Sequence, residues 1–138
     1  MDSEQLTVDR VAGVTKVRSH RDLLVWQKAM DMVDMVYDLA EHFPAREGFG
    51  LTSQITRAAV SVPANIAEGQ ARSTAKDFAN FLAIARGSLM ETETLLTVAV
   101  RRGYVPEPAA GSTYSLITEV SKMLTSLRRQ IAATGRRA

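Results

Sequence analysis

The sequence predicts an all-α protein, an up-down-up-down four-helix bundle, and three observations support this fold class. Apolar residues recur at steps of three and four in four separate segments. A sustained alternation of apolar and polar residues, the pattern of a half-buried strand, is absent. Short breaks containing Pro or Gly separate the four segments, so consecutive helices can run antiparallel and cover one another's apolar faces.

The size and composition of the chain are typical of one globular domain. Of its 138 residues, 46% are hydrophobic and 23% are charged, and none is cysteine. The sequence shows neither a secretory signal nor an apolar run of the roughly 20 residues that a spanning helix needs. We therefore expect a cytoplasmic protein without a membrane partner, with a flexible arm at 1–20, the bundle at 21–133 and a frayed basic tail at 134–138.

The first helix is predicted to begin with Asp22 as its N-cap and to end before Pro44, since proline disfavours helical geometry at the preceding residue. Its apolar stripe consists of Leu23, Trp26, Met30, Val33, Tyr37 and Ala40, and it is widened by Leu24 and Val36.

The third helix is predicted to begin at Ser73 or Thr74 and to end at Gly103. The Pro-rich stretch 104–111 predicts a loop, so we expect the fourth helix to begin with Ser112 as its cap. The predicted core positions of these two helices are Phe78, Phe81, Leu82, Ala85, Leu89, Leu96, Ala99, Ile117, Val120, Leu124, Leu127 and Ile131.

The second helix has a proline in its interior. Pro63 removes a backbone donor and presses on the carbonyl of Ala59, which costs about 3 kcal/mol in an unadjusted helix. Because apolar spacing continues from Ile55 to Ile66, we favour a kinked continuous helix, in which Ser61 or Asn65 satisfies exposed backbone groups. The alternative is a break with Pro63 at the first position of a new helix.

Polar residues follow a second stripe on this helix, beside the apolar stripe formed by Leu51, Ile55, Ala58, Val62 and Ile66. It has three possible interpretations: a solvated face, a hydrogen-bonded seam with another helix or subunit, or a ligand site. The charged residues of the third helix either stay at the surface or pair with this stripe, and Gly87 between them indicates close approach of another backbone. The candidate seam or interface residues are Arg57, Ser61, Asn65, Glu68, Arg86, Glu91 and Glu93.

Three motifs occur in a fixed order along the chain: RDLLVWQKAM at 21–30, FGLTSQITRAAVSVPANIAEG at 49–69 and FLAIARGSLMETET at 81–94. Together they closely resemble the bacterial four helix bundle protein family, whose founding members are encoded in intervening sequences of 23S ribosomal RNA genes. The resemblance implies a homo-oligomer, a pentameric barrel in related structures, and no established enzyme activity. A distant similarity to the accessory protein of diversity-generating retroelements suggests a nucleic-acid-processing protein as a partner.

No pattern of catalytic or metal-binding residues stands out, so we expect neither enzyme activity nor a metal or cofactor. Di-iron bundles need Glu-x-x-His on two helices, whereas His20 and His42 lie at the ends of the first helix. Glu91 and Glu93 project about 200° apart on a helix, which argues against a shared acid–base site.

Basic residues cluster locally although the net charge is only +2. In an antiparallel bundle, the basic residues before helix one, after helix two and at the end of helix four meet at one end, whereas Arg101 and Arg102 lie at the other. Alternatively, the C-terminal arginines only offset the helix dipole and aid solubility. The candidate nucleic-acid-binding residues are Lys16, Arg18, Arg21, Arg72, Arg128, Arg129, Arg136 and Arg137.

The sequence thus predicts a non-enzymatic homo-oligomeric bundle that binds or scaffolds nucleic acid through Arg and Lys clusters. RNA or a ribonucleoprotein is favoured over DNA as the ligand. Oligomerisation would repeat each cluster around a ring and strengthen the local field. The alternative function is a protein–protein interaction scaffold without a nucleic-acid role.

Overall fold

A computed structural model describes residues 18–137 of the chain, with side chains as far as Thr134. Most of these residues lie in four α-helices and two short 3-10 turns. Lys16 and the side chains of Arg136 and Arg137 lie outside this description. No strand occurs between residues 18 and 137, so the all-α prediction is confirmed. The helices are α1 (Leu24–Ala40), α2 (Leu51–Gln70), α3 (Ala75–Arg101) and α4 (Glu107–Arg137), and the turns are His20–Asp22 and Ala45–Glu47.

The helices form a closed arrangement around one core. Each helix packs against the next one along the chain, and α1 also packs against α4. Short connections make these neighbours antiparallel. The largest fully buried side chains include Met32, Ile55, Leu89, Ile117 and Leu124, which come from all four helices.

The core positions predicted for α2 and α4 are all buried, but the stripe predicted for α1 is partly wrong. Met30 and Tyr37 are 38% and 49% exposed, whereas Ala29 and Met32, which the predicted stripe leaves out, are fully buried. Val36 is buried as predicted. Both sets have helical spacing, so periodicity alone could not separate them. The contacts with α2 and α4 decide which side of α1 faces the core.

The predicted N-cap of α1 is also wrong, because the chain makes a separate 3-10 turn first. Asp22 Oδ2 accepts hydrogen bonds from the backbone N–H groups of Arg18 and Ser19, at 2.7 and 3.3 Å, and Ser19 Oγ accepts one from Arg21 N at 3.2 Å. The residue before α1 is Leu23, which makes no side-chain cap. Asp22 therefore stabilises the turn that leads into the helix.

The boundaries of α3 are those predicted, whereas α4 begins earlier than expected. Thr74 Oγ1 accepts a hydrogen bond from Asp77 N at 3.1 Å, and Gly103, with a φ of 77°, follows the C-terminal end of α3. The stretch 107–111, expected as loop, forms the first turn of α4, where Pro108 is tolerated because an N–H at that position would lack a helical acceptor. Ser112 thus lies inside α4 and is not its cap. The C-terminal end of α4 extends past residue 133, where the bundle was predicted to end.

Pro63 lies inside an unbroken α2, so the continuous helix is confirmed over the broken one, and the angle of the kink stays a prediction. Asn65 Nδ2 donates to the carbonyl oxygen of Ser61 at 2.8 Å and to its Oγ at 2.9 Å. The side chain thus does bind the backbone as expected, but at Ser61 and not at the carbonyl of Ala59 that proline leaves without its usual donor.

Close approach between helices occurs at a different glycine from the predicted one. A Cβ added at Gly69 would lie 2.7 Å from Phe81 Cβ and 3.0 Å from Phe78 Cδ1, so α2 and α3 are in tight contact there. A Cβ added at Gly87 would meet nothing within 4 Å. Gly87 is exposed, so no other backbone of the described chain packs against it, and its approach by a second copy stays a prediction.

Candidate nucleic-acid interface and polar grooves

The polar stripe of α2 meets α3 of the same chain. Ser61 Oγ and Ser88 Oγ are 2.9 Å apart, and Asn65 Nδ2 donates to the same Ser61 hydroxyl. All three side chains are half-buried, as expected for a hydrogen-bonded contact between helices. At these positions the stripe is a seam within the bundle and not a solvated face.

A groove of about 310 Å³ extends along the same seam towards the start of α2. Arg57 and Glu91 both line it and are both exposed, but they form no ion pair. The intrachain ion pairs of the described side chains are Lys28 with Glu119 and Arg72 with Glu68. The predicted pairing of Arg57 or Arg86 with a glutamate is thus not made within this part of the chain, and its intersubunit form stays a prediction.

Arg86 and Glu93 lie on the other side of α3, next to α4. Arg86 Nε donates to Ser121 Oγ at 3.2 Å, and one groove lined by Glu93 also contains Thr97 and Tyr114, whose hydroxyl oxygens are 2.8 Å apart. Five residues separate Arg86 from Glu91, which turns the two side chains about 140° apart on a helix. The candidate residues of α3 therefore lie on two sides of the helix and line three different grooves.

A further groove between α3 and α4 is rich in basic and hydroxyl groups and has a volume of about 320 Å³. Sequence reasoning missed Lys122 in particular, although its spacing from Arg129 on one face of α4 is a readable signal. The lining residues are Arg86, Ser121, Lys122, Thr125, Ser126 and Arg129.

One end of the bundle has more basic than acidic side chains, and we call it the basic end. Antiparallel packing brings together the start of α1, the end of α2, the start of α3 and the end of α4, and the His20–Asp22 turn packs on α2 there. Arg72 pairs with Glu68 and lies over the Phe81 ring at 4.7 Å, so part of its charge is already compensated. The exposed basic residues of this end are Arg18, Arg21, Arg72, Lys76, Arg128 and Arg129.

The opposite end contains Arg46, Arg101 and Arg102 together with a carboxylate that the sequence analysis did not single out. Glu47 accepts hydrogen bonds from Tyr104 Oη at 2.7 Å and from Leu51 N at 3.1 Å. The Tyr104 hydrogen bond, followed by that of Leu51, lowers the pKa of the Glu47 carboxyl below its ordinary value. Glu47 therefore has a structural partner on each oxygen.

The described residues contain no group of three His, Asp or Glu side chains that could hold a metal ion. None of the helices in the same part of the chain is both long and apolar enough to cross a membrane. His20 packs edge-on against Trp26, with ring centroids 5.0 Å apart.

These features define an antiparallel four-helix-bundle protein whose polar side chains form interhelical grooves and a basic end. The chain belongs to the 23S rRNA-intervening sequence protein family, whose model matches residues 21–126. The resemblance carried by the three sequence motifs is thus confirmed. No match was found among curated proteins.

A solved structure agrees with this assignment. A protein of unknown function from the S23 ribosomal protein family of Bacteroides thetaiotaomicron VPI-5482 superposes with a TM-score of 0.71. The two chains are 28% identical, and the alignment covers 76% of this chain and 98% of the other.

Proposed function

We propose that this protein is a non-enzymatic, homo-oligomeric helical bundle of the cytoplasm that binds RNA or a ribonucleoprotein through its basic clusters. The observation that carries the proposal is the convergence of exposed basic side chains from the starts or ends of all four helices at the basic end. A chain of net charge +2 thereby acquires a local field that attracts phosphate.

The chemistry of the basic end favours contacts with phosphate over contacts with bases. Arginine predominates among its cations, and the planar guanidinium group pairs with phosphate in a bidentate manner. Such contacts give affinity and position without sequence information. We therefore expect binding that weakens steeply with salt and depends little on sequence, with DNA as a weaker competitor and a nucleic-acid-processing protein as a further partner.

Self-association is supported by apolar side chains that the single chain leaves uncovered. Val60 of α2 and Ile84 of α3 are 42% and 52% exposed, and the open Gly87 is one turn from Ile84. A second copy packed over these side chains would remove them from water. A ring of copies, five if the family resemblance holds, would also repeat the basic end.

The proposal is tested by RNA binding measured against salt concentration. The variant Arg21→Gln, Arg128→Gln, Arg129→Gln removes three charges from the basic end. Its matched control, Arg46→Gln, Arg101→Gln, Arg102→Gln, removes three charges from the opposite end. We expect fluorescence anisotropy to show weaker RNA binding by the first variant and near wild-type binding by the second. Absent binding, or binding that does not weaken as salt rises, would refute the RNA proposal.

A protein–protein scaffold without RNA is the second candidate function, and Phe49 favours it. This side chain is fully exposed between two glycines, at the connection that leads into α2. An aromatic side chain in this position is suited to insertion into a partner. If Phe49→Ser abolishes assembly with a partner protein while the wild-type protein binds no RNA, the scaffold function is the correct one.

A further inference from the structure

The groove between α3 and α4 that contains Lys122 has an unusual chemical composition. Its lining consists of three cationic side chains and three hydroxyl side chains, and it contains no carboxylate. The volume of about 320 Å³ is open to solvent along the side of the bundle. Cations combined with hydroxyl donors, without a competing carboxylate, are suited to phosphate oxygens.

The cations of this groove are available to a ligand. Arg86 uses Nε to donate to Ser121 Oγ, which orients the guanidinium group across the groove. Within the described side chains, neither Arg86 nor Lys122 forms an ion pair. Arginine presents further N–H donors beyond Nε, so the oriented group retains donors for an anion.

The nearest acidic side chains do not neutralise the groove. Glu119 is one turn before Lys122, but its carboxylate pairs with Lys28 of α1 at 2.6 Å. Glu93 lies seven residues from Arg86 and lines the neighbouring groove with Tyr114. The positive charge of the groove is thus locally uncompensated.

The spacing of the cations fits a chain of phosphates better than one phosphate group. Lys122 and Arg129 are seven residues apart on α4, which corresponds to about 10 Å along the helix axis. This separation favours two phosphates, one at the Lys122 ammonium and one at the Arg129 guanidinium, over a single shared phosphate. Arg129 also belongs to the basic end, so the groove continues that surface along the side of the bundle.

We propose that the α3–α4 groove binds the phosphodiester backbone of an unpaired RNA strand, with Arg86 and Lys122 as its phosphate contacts. This inference rests on the proposed RNA-binding function and adds to it a site that extends from the basic end along the side of the bundle. A groove of about 320 Å³ is too small to enclose a duplex, which could contact only the side chains at its rim. Because Arg129 lines the groove and also belongs to the basic end, the proposed strand runs from the basic end along α4.

The test compares two doubly substituted proteins with a fluorescein-labelled single-stranded oligouridylate as the probe. The groove variant is Arg86→Gln with Lys122→Gln. The matched control is Arg101→Gln with Arg102→Gln, which removes the same charge at the opposite end. Arg129 is left unchanged because it is shared with the basic end.

We expect the groove variant to bind the strand on the order of tenfold more weakly than the control pair. The slope of log K against log salt should fall by about 1.4, since each single-strand phosphate contact contributes about 0.7. An RNA duplex should lose less affinity than the single strand. Thr125→Val should weaken binding without changing the salt slope, because it removes a hydroxyl and no charge.

The outcomes separate this inference from the function on which it rests. If the wild-type protein binds no RNA, both are wrong. If it binds RNA and the groove variant equals the control pair, the groove inference alone is overturned. Thermal unfolding and light scattering check that the variants remain folded. If Arg86→Gln destabilises the packing of α3 against α4, Lys122→Gln alone serves as the groove variant. Its slope of log K against log salt should fall by about 0.7.

Discussion

Tyr104 donates a 2.7 Å hydrogen bond to Glu47 Oε2 and thereby joins two segments that are 57 residues apart. The other carboxylate oxygen accepts a hydrogen bond from the N–H group of Leu51, the first residue of α2. Negative charge is favourable at that position because helix N-termini carry partial positive charge. One carboxylate thus ties the connection between α3 and α4 to the start of α2.

We predict that Tyr104→Phe lowers stability in a pH-dependent manner. The hydrogen bonds lower the pKa of Glu47 from its ordinary value of 4.5, and Tyr104 is the largest cause. A lowered carboxyl pKa contributes stability above 4.5, and that contribution is lost as pH falls through the lowered value. The difference in free energy of unfolding between wild type and variant should therefore be largest near neutral pH and shrink in acid.

Urea unfolding followed by circular dichroism at several pH values measures this difference. Glu47→Gln is the companion variant, because it removes the charge that Tyr104 binds. The difference in free energy of unfolding between wild type and Tyr104→Phe could instead stay constant from neutral pH to well below 4.5. That result would show that the hydrogen bond does not favour the ionised carboxylate.

The same substitution should have opposite effects at two helical glycines. Gly69→Ala places a Cβ 2.7 Å from Phe81 Cβ, and overpacking of this kind costs about 1–3 kcal/mol. Gly87→Ala meets nothing within 4 Å and should stabilise α3 by about 0.5–1 kcal/mol, since alanine is the better helix former. Each variant is the control for the other in denaturant unfolding. A stabilising Gly69→Ala would contradict the tight α2–α3 contact.

Ser61 and Ser88 should be energetically coupled across the α2–α3 seam. Their hydroxyl oxygens are 2.9 Å apart and half-buried, so Ser61→Ala and Ser88→Ala should each destabilise the protein by about 1 kcal/mol. The double variant should cost less than the sum, with a coupling of about 0.5 kcal/mol or more. Strict additivity in a double-mutant cycle would mean that the two hydroxyls do not interact in solution.

Disruption of the exposed apolar surface should dissociate the proposed oligomer. Val60→Glu with Ile84→Glu places charge at exposed positions of α2 and α3, and light scattering should then give the mass of one 15.1 kDa chain. Met30→Glu, at an exposed apolar position of α1, is the control that should keep the larger mass. A wild-type mass of 15.1 kDa at micromolar concentration would refute self-association.

Much of the fold was predictable from local signals. Thr74 caps α3 with a hydrogen bond that spans only three residues, and Gly103 ends the same helix with a positive φ that other residues rarely adopt. The apolar stripe of α2 continues through Pro63, which correctly predicted an unbroken helix. The signals at Thr74 and Gly103 depend on residues within about one helical turn, and the stripe depends on spacing along a single helix. This is why the sequence alone determined four helices and their order.

Only the tertiary structure decided which faces those helices present and which side chains meet. Met30 and Met32 have equally helical spacing, and the packing of α1 against α2 and α4 buries only the second. Arg86 and Glu91 are close in sequence, yet they line grooves on opposite sides of α3. Glu47 meets Tyr104 because antiparallel packing brings the α1–α2 and α3–α4 connections to the same end. Contacts of this kind depend on the rotation and register of neighbouring helices, which no local pattern encodes.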